Sequence, residues 1–123
     1  MIITVGSREY AVEEVLPYVT KERTERVVEG YRVWMNSARY HLFLRSRVCA
    51  GCGIDGTVFL LEQSGPGDAD RAHFNLYART PNGALVLMTK DHIHPKSKGG
   101  RNALDNYQPM CFPCNIAKGA TCT

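Results

Sequence analysis

Two C-x-x-C pairs constrain this chain more than any other feature of its sequence. Cys49 and Cys52 form the first pair, and Cys111 and Cys114 form the second. A C-x-x-C pair places two thiolates at one tight turn, and four thiolates complete a tetrahedral zinc site. Residues 53–110 separate the pairs, far more than the roughly 15–20 residues of a simple zinc ribbon. We therefore expect a zinc site that closes around a substantial intervening structure, and we call the pairs the first and second knuckle.

Other uses of the cysteines are less consistent with the sequence. The N-terminal residues show neither a basic leader nor a long apolar stretch, so we expect a reducing cytoplasm, in which a disulfide framework does not persist. A thioredoxin-like redox protein needs one C-x-x-C pair, not two. Cys122 has no partner knuckle, and we interpret it as incidental.

Length and charge limit the function classes. The chain has 123 residues, enough for a single domain. Its longest apolar runs, 58–61 and 84–88, are far shorter than the ~20 residues that span a membrane. The net charge of +3 is mild, but residues 86–123 hold five basic and two acidic side chains. An anionic partner such as nucleic acid is therefore favoured at the C-terminal end.

The N-terminal part predicts mostly helix. Apolar side chains recur at helical spacing from Glu22 to Leu42, and Asn36-Ser37 could interrupt this segment and cap a second helix from Ala38 towards Arg47. A short strand is expected at 2–5, and a helix disturbed by Pro17 at 11–19. We therefore predict that residues 1–48 form a mainly helical N-terminal extension.

The middle and end of the chain predict strands and one short helix. Residues 57–62 are rich in strand-forming residues. Residues 73–78 and 85–89 predict a hairpin around the Asn82-Gly83 turn, because this dipeptide adopts left-handed turn positions. A brief helix is expected around Asn115 to Lys118, closed by Gly119.

Polar and metal-binding residue types are concentrated after residue 90. The segment begins Asp91-His92-Ile93-His94-Pro95, continues through Gly99-Gly100 and Asn106, and ends with the second knuckle and the run 115–119. This pattern resembles the HNH endonucleases, the zinc-bearing branch of the ββα-metal nucleases. Their signature runs D-H-I-x-P, a G-G loop, an N, and C-x-x-C-N-x-x-K-G. The resemblance extends from Cys49 to Gly119, and residues 1–48 lie outside it.

The resemblance implies an α+β fold. Residues 49–123 would form a small ββα-metal core with two zinc knuckles and an extra β-hairpin, within one domain that spans residues 1–123. The four knuckle cysteines would bind structural Zn²⁺. Relatives of this size are common in phage or mobile elements, so the resemblance suggests a phage terminase or another DNA-processing protein as a partner.

The resemblance also implies DNA phosphodiester hydrolysis and assigns roles by position. His92 would be the general base, Asp91 and Asn115 would hold one catalytic Mg²⁺ or Mn²⁺, and Asn106 would fix the loop. Asn102 is a second candidate for orienting that loop. Four basic residues flank the site and are expected to contact DNA phosphates: Lys96, Lys98, Arg101 and Lys118.

The chemistry of these residue types supports the same assignment. A neutral imidazole titrates near pH 6.5 and can accept the proton of an attacking water. A carboxylate and an amide oxygen suit a hard divalent cation. However, Asp91 and His92 would face opposite sides of a straight strand, so a shared site requires a bend there. In a straight strand, His94 would become the candidate metal ligand instead.

Two alternative functions remain open. The chain could be a non-catalytic zinc module that binds DNA or a protein, or a redox switch that acts through its cysteines. A binding module needs neither a general base nor a pair of hard-metal ligands. Because Asp91, His92 and Asn115 are all present, the sequence favours the nuclease.

Overall fold

The structure, a computed structural model, describes residues 2–119. Its strands are β1 (Ile3–Thr4), β2 (Tyr10–Ala11), β3 (Glu25–Val28), β4 (Tyr31–Trp34), β5 (Gly56–Gln63), β6 (His73–Arg79), β7 (Leu85–His92) and β8 (Tyr107–Cys111). Its α-helices are α1 (Val12–Val15), α2 (Ala38–Arg45) and α3 (Phe112–Lys118). None of the helices among these residues is long and apolar enough to cross a membrane.

One antiparallel sheet organises the fold. Its strand order is β1-β5-β6-β7-β8, and β2 also pairs with β5. The predicted hairpin of β6 and β7 is confirmed, and Gly83 occupies the left-handed position of its turn, with φ +88°. Since β1 and β2 pair with β5, the start of the chain belongs to the core's own sheet, whereas β3 and β4 form a separate two-stranded sheet.

The ββα unit lies at one edge of this sheet. β7 and β8 pair antiparallel in regular register, and α3 follows β8 without an intervening loop. Pro113 stands in the first turn of α3, where a missing backbone N–H costs nothing, and Gly119 ends the helix with φ +57°. The predicted α+β class, with its hairpin and its short C-terminal helix, is confirmed.

The mainly helical extension is not found. Residues 25–34 form the β3–β4 hairpin instead of a helix, and its turn residues Glu29 and Gly30 both have positive φ, 50° and 83°. A two-residue turn with positive φ at both positions matches the right-handed twist of the two strands that it joins. Val27, Tyr31 and Trp34 happen to follow helical spacing, but the β-branched residues around Gly30 favour strands. The prediction of a helix across this segment was therefore wrong.

Two other predictions for the extension are confirmed. α2 begins at Ala38, and the Ser37 Oγ caps it by accepting the Arg39 N–H at 3.2 Å. α1 passes into a 3₁₀ turn over Leu16–Tyr18, where Pro17 prevents a longer α-helix.

α2 is held to the sheet by buried polar contacts as well as by apolar packing. The Phe74 N–H donates to the Tyr40 hydroxyl at 2.8 Å, and Tyr40 is 1% exposed. Arg39 Nη1 donates to Asn75 Oδ1 at 2.8 Å. Each of these polar groups thus keeps a hydrogen-bond partner, as a stable core requires. These contacts hold α2 against β6.

Candidate functional site

The four knuckle cysteines converge in space. Their Sγ atoms all lie within 4.8 Å of one another, and the Sγ atoms of Cys52 and Cys111 are 3.8 Å apart. A tetrahedral zinc ion with Zn–S bonds of ~2.3 Å places its sulfurs ~3.8 Å apart. A disulfide needs ~2.05 Å instead, and all four thiols are free. The four residues therefore have the arrangement of a tetrahedral metal site. Cys122 lies outside the described residues.

Hydrogen bonds from the backbone and the crowding of the thiols shift the pKa values of the knuckle cysteines. Burial opposes ionisation of Cys49, but N–H groups of Cys111, Cys52 and Gly51 point at its Sγ and lower its pKa to about 6. The side chains of Cys111 and Cys52, together with burial, raise the pKa of Cys114 to about 12. Crowded thiols resist ionisation in this way until a cation neutralises them.

The cluster joins three parts of the chain. Cys111 ends β8, Cys114 lies in the first turn of α3, and the first knuckle hydrogen-bonds to β8 through Ala50 N and Pro109 O at 2.9 Å. A Cβ at Gly51 would lie 3.0 Å from the Cys114 Sγ, closer than most Cβ contacts in proteins, so glycine at this position favours the close approach of the two knuckles. A metal here would fix α3 against β8.

A polar cavity of about 300 Å³ opens where β7 ends beside α3. Asp91, His92 and Asn115 all line it. The remaining lining residues are Lys90, Pro95, Lys96, Ser97, Lys118 and Gly119. Three of the four residues that the sequence assigns to catalysis therefore line one cavity, and Asn106 does not.

Asp91 and Asn115 each have one side-chain oxygen atom that accepts no hydrogen bond from residues 2–119. Asp91 is buried, and its Oδ2 accepts hydrogen bonds from Lys118 Nζ at 2.8 Å and Gln108 Nε2 at 3.0 Å. Asn115 Nδ2 donates to Thr89 Oγ1 at 2.8 Å. We find no hydrogen bond to Asp91 Oδ1 or Asn115 Oδ1 among residues 2–119. Both oxygens are of the kind that a hard divalent cation prefers.

His92 is held on the other face of β7. Its Nε2 lies 2.8 Å from Asn102 Oδ1, and its ring meets Tyr107 edge to face at 5.1 Å. β7 stays in register with β8 through the pair His92–Tyr107, and the chain bends only at residues 93–94. The bend thus falls after His92. Asp91 and His92, which lie on opposite faces of β7, nevertheless both line the cavity at the end of the strand.

The loop after β7 is closed by Asn106. Its Oδ1 accepts the His94 N–H at 2.9 Å, and its Nδ2 donates to the carbonyls of Arg101 and His94 at 2.8 and 3.2 Å. A Cβ at Gly100 would lie only 1.8 Å from the His94 carbonyl oxygen. Asn106 and the glycine pair together therefore shape the loop, and Asn106 does not line the cavity.

Of the other predicted residues, some line the cavity and some lie outside it. His94 Nε2 lies 2.9 Å from the Lys98 carbonyl oxygen, and the His94 side chain does not line the cavity. Lys96 lines it, whereas Lys98 and Arg101 are exposed on the loop. Lys118 lines it too, but it is buried, and its ammonium also donates to the His92 carbonyl at 2.8 Å.

Sequence reasoning missed two side chains that hydrogen-bond to predicted residues, Thr89 and Gln108. It also missed Lys90, which lines the cavity. Thr89 and Asp91 alternate on β7, so their shared face could have been predicted from the strand period. The pairing of Asp91 with Gln108 depends on the register of β7 against β8, for which the sequence carries no local signal.

Comparison with known families agrees with this geometry. The family model described as HNH endonuclease matches residues 80–121, which include the loop after β7 and the second knuckle but not the first. No curated protein and no solved structure matches the chain. The family implies a nucleic-acid substrate. Over residues 80–121, about the C-terminal third of its length, the chain is therefore similar to the HNH endonuclease family.

Proposed function

We propose that the protein is a metal-dependent DNA endonuclease that hydrolyses phosphodiester bonds. One observation carries the proposal: Asp91, His92 and Asn115 line a single cavity within the segment that matches the HNH family. Asp91 and Asn115 are the ligands proposed for Mg²⁺ or Mn²⁺. When bound, this cation supplies charge neutralisation at the phosphate and at the leaving 3′-oxygen.

His92 is proposed as the general base. Because Asn102 presents a carbonyl oxygen to Nε2, this nitrogen carries the proton and donates to it. Nδ1 is then unprotonated and accepts the proton of the attacking water. The ring contact with Tyr107 restricts rotation of the imidazole. Asn102 thus positions the base, a role that the sequence did not separate from orienting the loop.

The basic residues near the cavity have two proposed roles, which are to contact DNA and to hold Asp91 in place. Lys96, Lys98 and Arg101 are proposed to contact DNA phosphates, since they lie in or beside the cavity with exposed side chains. Lys118 also lines the cavity, and a phosphate contact by its ammonium stays a prediction. Its position against Asp91 supports a further task, which is to hold that carboxylate in place.

Zinc is proposed as a scaffold at the four knuckle cysteines. The second knuckle begins at the last residue of β8 and ends directly before Asn115. Fixing that junction would hold the Asn115 amide at the same cavity as Asp91. A partner such as a phage terminase or another DNA-processing protein stays a prediction, which purification from infected host cells would test.

The test is nicking of supercoiled plasmid DNA in buffers with Mg²⁺ or Mn²⁺. The wild-type protein should convert the plasmid, and His92→Ala should lower the rate by about 10²-fold or more. His73→Gln is the matched control, because His73 lies on β6 and does not line the cavity. A wild-type protein that binds DNA but is inert with every cation would instead favour the non-catalytic zinc module.

A further inference from the structure

A second cavity, of about 400 Å³, lies between the N-terminal segment and the ββα unit, and we call it the side groove. One wall comes from the residues that surround the start of α2, and the other from the loop before β8 and from β8 itself. Its lining residues are Lys21, Asn36, Ala38, His41, Asn102, Leu104 and Tyr107. Its volume falls in the range of ~300–1,000 Å³ typical of ligand sites.

The side groove adjoins the proposed general base. Asn102 and Tyr107 line the groove, and the same two side chains contact the His92 imidazole. Lys90 connects the two cavities, because it lines the first one while its Nζ lies 4.2 Å from the centre of the Tyr107 ring. Lys90 and His92 share one face of β7, since they are two residues apart. The groove therefore opens beside the proposed catalytic cavity.

The lining chemistry fits a nucleotide. No acidic residue among residues 2–119 lines the groove, and Lys21, which lines it, is exposed. Leu104 and Tyr107 offer apolar surface to a sugar or a base, while Asn36 offers an amide that can bond to a base edge or a phosphate. Grooves that bind a nucleic-acid strand combine cationic contacts to its backbone with aromatic surface for its bases.

We infer that the side groove binds the DNA strand that flanks the scissile phosphate. The inference rests on the proposed endonuclease function and gives the N-terminal segment a part in it. In this arrangement the scissile phosphate lies near Lys96 and Lys98, in the loop after β7. The neighbouring nucleotides of the same strand extend across Tyr107 to Lys21. The segment before the knuckles is thus a substrate-binding wall as well as part of the sheet.

Lys21→Glu tests this inference against Arg45→Glu. Both changes reverse one exposed positive charge and so alter the net charge equally. Arg45 lies seven residues beyond Ala38 on α2, ~10 Å along the helix, and does not line the groove. Both are introduced into His92→Ala protein, and binding of a fluorescein-labelled DNA duplex is measured by anisotropy at several KCl concentrations.

We expect Lys21→Glu to raise the Kd by about 10-fold and to reduce the slope of log K against log[salt] by about one phosphate contact. Arg45→Glu should raise the Kd less than ~3-fold, because it changes only the overall electrostatic field of the protein. Asn36→Ala, which leaves the charge unchanged, should weaken binding without altering the salt slope. Equal effects of the two charge reversals would overturn the inference.

A nicking assay separates this inference from the proposed function. With His92 intact, Lys21→Glu should raise the KM for plasmid DNA and leave kcat within ~2-fold of wild type, because the groove contacts DNA away from the reacting atoms. If wild type nicks and the variant has an unchanged KM, the groove assignment fails while the endonuclease stands. If wild type never nicks, the endonuclease proposal itself fails.

Discussion

Lys118 Nζ lies 2.8 Å from Asp91 Oδ2, and both side chains are almost completely buried. Breaking such a pair is costly, because the remaining charge stays buried without its partner. We expect Lys118→Met to lower the free energy of unfolding by about 3–5 kcal/mol in buffer without Mg²⁺. Urea denaturation followed by circular dichroism measures this loss.

A double-mutant cycle isolates the pair. Asp91→Asn should also lower the free energy of unfolding. The double variant Asp91→Asn with Lys118→Met should lose less of this free energy than the two single variants lose in sum. Because Mg²⁺ at Asp91 would replace the lost positive charge, Mg²⁺ should stabilise Lys118→Met more than wild type. Strictly additive losses would contradict a direct coupling between the two residues.

Loss of one knuckle thiolate should remove the metal and much of the stability. Structural zinc contributes roughly 10–16 kcal/mol of apparent folding free energy in zinc-finger peptides. We therefore expect Cys111→Ser to purify with less than one zinc per chain and to be largely unfolded at 37 °C. Elemental analysis and thermal denaturation check this. Cys122→Ser is the control, since it lies outside both knuckles in the sequence, and it should keep its zinc.

Gly100 should not tolerate a side chain. A Cβ there would lie 1.8 Å from the His94 carbonyl oxygen, and backbone atoms cannot move aside as a flexible side chain does. We expect Gly100→Ala to cost about 1–3 kcal/mol and to displace the loop that Asn106 closes. Gly67→Ala is the comparison, because a Cβ at Gly67 would point into open space, with no atom of residues 2–119 beyond its chain neighbours within 4 Å. Equal urea midpoints for the two variants would count against the loop geometry.

The side-chain oxygen of Asn102 should contribute to the nicking rate, because it holds the imidazole of His92. Asn102→Ala removes the acceptor 2.8 Å from His92 Nε2, a bond worth about 0.5–1.5 kcal/mol, so nicking under single-turnover conditions should slow by up to about 10-fold. Asn102→Asp keeps an oxygen at this position and should retain more activity than the alanine variant. If alanine and aspartate slow the reaction equally, Asn102 does not position the base.

His73 should make stability depend on pH. Burial, followed by the charge of Arg39, lowers the pKa of His73, so the unfolded chain binds the proton more readily than the folded one. The resulting stability is present above the unfolded pKa of ~6.5 and is lost as the pH falls below it. His73→Gln should therefore lose less stability than wild type between pH 7.5 and 5.5, as measured by urea midpoints. Identical losses in the two proteins would refute this.

The part of the fold that depends on local signals was predictable. Asn82-Gly83 predicts a turn by its left-handed preference, and the β6–β7 hairpin is found there. Ser37 predicts the start of α2 by its capping oxygen. The segment around Gly30 was misjudged because helical spacing and strand propensity compete there, and pairing between β3 and β4 decided the outcome.

The candidate site was predictable in its members but not in its contacts. The motif order brought Asp91, His92 and Asn115 into one hypothesis, and they line one cavity. That Lys118 would neutralise Asp91 and Asn102 would meet His92 could not be inferred, since those contacts join residues on different elements.

By itself, the sequence determined which thiols can form a metal site and which side chains can carry the chemistry, because ligand type and short-range spacing are covalent properties. Only the tertiary structure decided where Asp91 and His92 point, what holds each of them, and that the N-terminal segment forms the second wall of the side groove. Those features depend on strand register and on packing between segments far apart in the chain, and the free energies that select them are shared among many residues rather than carried by any local motif.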